Sequence, residues 1–159
     1  MAITIKQPFA SAILALKKLV ENRSWGKRKA GAGGLSLPNN GRNVWLALHA
    51  SGTAATDSPT DAHAHHLQLL RREWPTMPPI RSLPTSAILG FFHVSEVLDA
   101  IPTDPQAVGP QCWRITAVIR LDQPLRGVAG KQGLWRTAAS GLWGGGAGSS
   151  HKSCLLRGC

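Results

Sequence analysis

Long apolar runs are missing from this sequence. No stretch approaches the roughly 18 uninterrupted apolar residues that a membrane-crossing helix needs, so a membrane partner is not expected. Cysteine is scarce: Cys112, Cys154 and Cys159 make an odd count with no Cys-x-x-Cys spacing. That excludes a disulfide framework and a zinc knuckle, and points to a reducing compartment, cytoplasmic or nuclear. A cleavable leader is not expected either. The apolar run Phe9–Leu16 is followed, not preceded, by Lys17 and Lys18, and no A-x-A site comes after it. Acidic residues are also few, eight against eighteen lysines and arginines, for a net charge of +10.

The positive charge is concentrated at one end. Residues 1–42 carry Lys6, Lys17, Lys18, Arg23, Lys27, Arg28, Lys29 and Arg42 against Glu21 alone. A local excess of this kind attracts phosphate backbones by releasing their counterions. The chain of 159 residues is one domain's worth. Residues 1–137 read as that domain, and 138–159, aperiodic and glycine-rich, as a disordered low-complexity tail.

Periodicity supplies the elements. Ile3–Ile5 alternates as a short strand. Pro8 suits a helix's first turn, and Phe9, Ala10, Ile13, Leu14 and Leu16 predict a helix of about ten residues ending near Lys17 or Lys18. Leu19–Trp25 reads as a strand whose odd positions, Glu21, Arg23 and Trp25, share a face. Asn43–Ala50 is an apolar, central strand. Ser58 and Pro59 open a second helix, with Ala62, Leu67, Leu70 and Trp74 as its buried face. Ser86–Leu98 is a strand with a bulge or bend at Gly90. Cys112–Leu125 and the short Leu134–Thr137 follow. This order is α+β and fits a small β-barrel decorated by two or so helices.

Five blocks in this order carry a family resemblance. They are Gln7-Pro8-Phe9-Ala10-Ser11, then Lys18 with Glu21-Asn22-Arg23-Ser24-Trp25, Leu48-His49-Ala50-Ser51, Ala87–Phe91, and Gly130–Trp135. Together they resemble the ASCH domain (activating signal cointegrator homology) of the PUA-like superfamily, over residues 3–136. The resemblance implies a PUA-like barrel with a ligand cleft. The pattern departs from many relatives at two positions: Leu16 or Lys17 stands where they have Gly, and Leu19 where they have Thr. The first change implies a different turn, and the second removes a hydroxyl from the cleft.

Several side chains could do chemistry there. Lys18 and Arg23 can hold phosphate, Arg through its planar fork. Glu21 can order those cations, accept from a base edge or act as a general base. Trp25 offers a face for base stacking, about 1–3 kcal/mol per base in single-strand binders. His49 and Ser51 share a face at the end of the central strand. Gln7, Ser11 and the Lys27-Arg28-Lys29 run complete the candidate nucleic-acid-binding set. His63, His65 and His66 lack ligands at zinc spacing and read as a solvated helix face; no metal or other cofactor is expected.

The first functional expectation is a monomeric module that binds RNA or a modified nucleotide in a basic cleft. The resemblance also implies two alternatives. One is a hydrolase acting on RNA or acylated cytidine, with Lys18 as nucleophile or electrophile and Glu21 as base. The other is a protein-interaction module like the transcription cointegrator that names the family.

Overall fold

A computed structural model of the chain describes residues 1–25, 35–99, 101, 103–137 and the backbone of 153–156. Seven strands form one mixed sheet: β1 (Ala2–Gln7), β2 (Val20–Arg23), β3 (Val44–Ala54), β4 (Ala87–Leu98), β5 (Gln111–Arg126), β6 (Leu134–Trp135) and β7 (Ser153–Leu156). The sheet order is β2-β5-β4-β3-β1-β6, with β7 also on β5. Two helices, α1 (Phe9–Leu14) and α2 (Ala64–Glu73), accompany it. The architecture is α+β, a sheet curled into a half-barrel.

The long β4–β5 hairpin and the antiparallel β3–β4 pair form the centre, and β1 runs parallel to β3, Ile3 opposite Leu48. The expected bend at Gly90 is present: both ladders slip register around it. A Cβ at Gly90 would lie 2.2 Å from the Ile119 carbonyl oxygen, so the two backbones approach too closely for any side chain. The bulge adds twist and helps the sheet curl.

All of α1 is buried inside this curl. It packs with Ile3, Leu46, Leu48, Leu67, Phe92 and Trp113, each inaccessible to solvent. A side chain of this size contributes about 1.5–3 kcal/mol on burial. A smaller cluster, Ala2, Ala47, Ile88 and Trp135, is sealed by Phe91, Leu121 and Val128.

Both helices are shorter than the sequence predicts. α1 stops at Leu14 because Leu16 takes a left-handed conformation (φ 54°), and the amides of Lys17 and Lys18 both turn back to the Ala12 carbonyl. Glycine normally supplies that conformation. Here a leucine adopts it. α2 begins at Ala64 rather than near Ser58. The Asp61 carboxylate accepts from the backbone of Thr56 and His63, folding residues 56–63 into turns before the helix can start. Leu67 and Leu70 are buried and Trp74 is half-buried as expected, whereas Ala62 is exposed.

The tail expected over 138–159 lies outside the described residues, apart from Ser153–Leu156. That segment pairs antiparallel with β5, Ala117 opposite Leu156, where no element is expected from the sequence. β2 pairs only with residues 111–114 on that edge, so the next stretch of β5 has backbone groups open to a further strand.

Candidate functional site

The curl brings β2 opposite β1. The two are not hydrogen-bonded as strands; Arg23 spans the gap, its Nη2 donating to the Thr4 carbonyl at 3.2 Å. A cavity opens on each side of this bridge, and Thr4 and Arg23 line both.

The first cavity, about 210 Å³, lies between β1, β2, α2 and the loop after β4. Ile5, Phe9, Leu69, Leu70 and Val108 make apolar walls. The polar side is an ion triad. Lys18 Nζ donates to Glu21 Oε2 at 2.9 Å and to the Val20 carbonyl, and Arg23 Nη2 meets Glu21 Oε1 at 3.0 Å. The period of β2 places Glu21 and Arg23 on one face, and the turn after α1 delivers Lys18 beside them. These side chains are poorly solvated, at 12%, 7% and 19% exposure for Lys18, Glu21 and Arg23.

Burial raises the pKa of Glu21. The neighbouring charges of Lys18 and Arg23, the Lys18 hydrogen bond and, last, His63 together outweigh it and hold the carboxyl below its ordinary value. Glu21 is therefore ionised and accepts only. Of its about four acceptor sites, two are taken by the cations. Two cations around one carboxylate leave the cluster net positive.

His63 and His66 also line this cavity, which corrects the expectation of a solvated histidine face. Helical spacing shows that they share a side but not what that side meets, and here it meets β1 and β2. Desolvation lowers the pKa of both. For His63, Lys6 adds to this and Asp61 and Glu21 oppose it; for His66, Lys18 and the other two histidines add to it. His65 is exposed. Among the described residues, no group of three metal-ligating side chains forms.

The second cavity, about 270 Å³, is lined by Thr4, Arg23, His49, Ser51, Gly52 and residues 130–133. His49 and Ser51 thus come together as their shared face predicts. His49 is 1% exposed; its Nε2 donates to the Val128 carbonyl at 2.8 Å, and its ring meets Trp135 edge-on at 5.5 Å.

The other candidates lie apart. Gln7 is fully buried, donating to the Pro84 carbonyl at 2.7 Å and accepting from the Ser11 amide at 3.1 Å, so it ties the start of α1 to a distant loop. Ser11 is buried in α1. Trp25 lies beyond the end of β2, where strand parity no longer holds. It packs edge-on against Trp113 at 5.0 Å and lies 5.7 Å from the Arg23 guanidinium. Lys27, Arg28 and Lys29 are outside the described residues.

Sequence reasoning missed Thr4, Lys6 and Gln106 as wall residues. Gln106 bridges the Lys17 carbonyl and the Leu19 amide, and Asn22 holds the same loop through Gln106, Val108 and Gly109. No short motif marks such a clamp, which spans more than eighty residues of sequence. No family model matches the chain, and no curated protein matches it. Among the described residues, no helix is long and apolar enough to cross a membrane.

Proposed function

We propose that this chain is a nucleic-acid-binding module that takes one base of RNA, or a modified nucleotide, in the first cavity. The observation that carries this reading is an ionised, buried carboxylate with spare acceptor sites, set among apolar walls and two cations. A carboxylate so placed accepts from the exocyclic amine of a base, as Asp and Glu do from cytosine N4. The net positive triad and Lys6 suit the attached phosphate. The cavity is smaller than the about 300–1,000 Å³ of sites for drug-sized ligands, which favours a single base over a larger group. The five ASCH-like blocks and the basic first 42 residues point the same way, toward a PUA-like RNA binder acting in the cytoplasm or nucleus.

Binding is favoured over turnover by the direction of the Glu21 pKa. A general base works best when its pKa lies near the operating pH, and Lys18 and Arg23 hold Glu21 in the opposite direction. No comparable observation favours a cointegrator-like protein partner.

The test is an NMR titration of the isotope-labelled protein with ribonucleoside monophosphates. The amides of Ile5, Lys6, Glu21, Arg23 and His66 should shift together and saturate with one of them. Shifts confined to other faces, or none at millimolar nucleotide, would overturn the assignment.

A further inference from the structure

His63 and His66 stand about one turn apart at the start of α2, and both line the first cavity. They are half-buried, yet neither ring has a hydrogen-bond or ion-pair partner among the described residues. Their nitrogens are not sealed in; solvent reaches them. What they touch is other rings: His63 lies edge-on to Phe9 at 6.0 Å and tilted to His66 at 6.5 Å. Lys6, which β1 contributes to the same cavity, also lacks a partner among the described residues. A few polar groups left free on otherwise apolar walls are what a small-ligand site uses to fix its ligand.

The charges around the two rings decide which ligand group they suit. Lys6 comes from β1, Glu21 and Arg23 from β2, Lys18 from the turn after α1, and Asp61 and His65 from the start of α2. Phe9 of α1, and Gln106 and Val108 of the loop after β4, line the cavity without charge, and Glu73 lies at the other end of α2. In the lining, Lys6, Lys18 and Arg23 outnumber Glu21 and Glu73 by one charge, and protonating both imidazoles raises that excess to three. Such an excess is unfavourable in an empty cavity and favourable around an anion, so a bound phosphate and the two protons stabilise each other. We infer that His63 and His66 hold the phosphate of the bound nucleotide, so that the module binds nucleic acid more tightly as pH falls below neutrality. This deepens the base-binding function proposed above and rests on it. A neutral imidazole donates one N–H; a protonated one donates two and adds charge. Glu21, held below 4.5, stays ionised over the range in which histidine titrates, so the base contact itself is unchanged there.

The experiment titrates the full chain by NMR with a ribodinucleotide, which has a single phosphodiester, and with the matching uncharged ribonucleoside, at about pH 7.5 and about pH 5.5. A phosphodiester keeps its one negative charge across this range, so a pH effect comes from the protein. The dinucleotide should bind about five- to tenfold more tightly at the lower pH, while the nucleoside binds equally at both. The ring-proton titrations of His63 and His66 should both move to higher pH when the dinucleotide saturates. They are read in the unaltered protein, so an unfolded variant does not obscure the answer. His63→Gln with His66→Gln should remove the gain at low pH, and His65→Gln, at the exposed neighbour, should keep it. Dinucleotide binding indifferent to pH, with both histidine titrations unmoved, would overturn the phosphate role and leave the base cavity standing. So would a gain at low pH that the nucleoside shares, that survives in a folded double variant, or that vanishes in His65→Gln. Absence of binding to either ligand at both pH values would overturn the parent function as well.

Discussion

Replacing Glu21 with glutamine probes the ion triad most sharply. The change keeps the side chain's shape and removes its charge, leaving Lys18 and Arg23 facing each other at 12% and 19% exposure. Removing one partner of a fully buried pair costs about 3–5 kcal/mol. Both cations retain some water here, and glutamine still accepts one bond, so the expected loss is about 2–3 kcal/mol. For a domain of this size that corresponds to a fall in Tm of about 6–12 °C. Urea unfolding followed by circular dichroism would measure it. The pH profile provides an independent check. Glu21 has a folded pKa below its unfolded value, so the folded state binds the proton less well than the unfolded one. Its contribution is present above the unfolded value of 4.5 and is lost as pH falls through the folded value. Glu21→Gln should therefore lose stability at pH 7 and show a shallower acid limb. A variant within about 0.5 kcal/mol of wild type at pH 7, the ordinary range for a surface change, would refute the triad as a desolvated, coupled cluster.

At position 16 the usual ranking of helix formers should invert locally. Leu16→Gly should be more stable than Leu16→Ala by about 1 kcal/mol in urea melts, because only glycine adopts the positive φ without strain. Gly90→Ala should destabilise by about 3 kcal/mol or more, since its methyl would meet the Ile119 backbone rather than a movable side chain. His63 and His66 have folded pKa values below 6.5, so the unfolded chain takes up their protons first and stability declines as pH drops below that value. A His63→Gln, His66→Gln protein should show a flatter stability profile between about pH 6.5 and 5 in urea titrations.

The strands were the most legible part of the chain. Their alternation located β1 to β6 closely and put Glu21 beside Arg23, and Gly90 marked its bulge in advance. The helix ends were not legible, because both are decided by local hydrogen bonding: Leu16 accepts a strained turn, and Asp61 binds the Thr56 and His63 amides while Ser58 holds only the Thr60 amide, so the helix starts later. The site was half legible. Lys18, Glu21 and Arg23 are neighbours in sequence, and a strand's period is enough to group them. His63, His66 and Gln106 reach the same cavity only through the way α2 and the loop after β4 fold over β1 and β2. Trp25, grouped with Arg23 by parity, does stay beside it, 5.7 Å from its guanidinium, but past the end of the strand it packs on Trp113 and lines neither cavity.

Nucleic-acid binding by the basic face is tested most directly by a salt titration of single-stranded RNA affinity. If Lys6, Lys131 and the net positive triad together engage three phosphates, affinity should fall about twenty-fold between 50 and 200 mM salt, with a log–log slope near about −2. Undetectable binding at low salt, or an affinity indifferent to salt, would contradict the account.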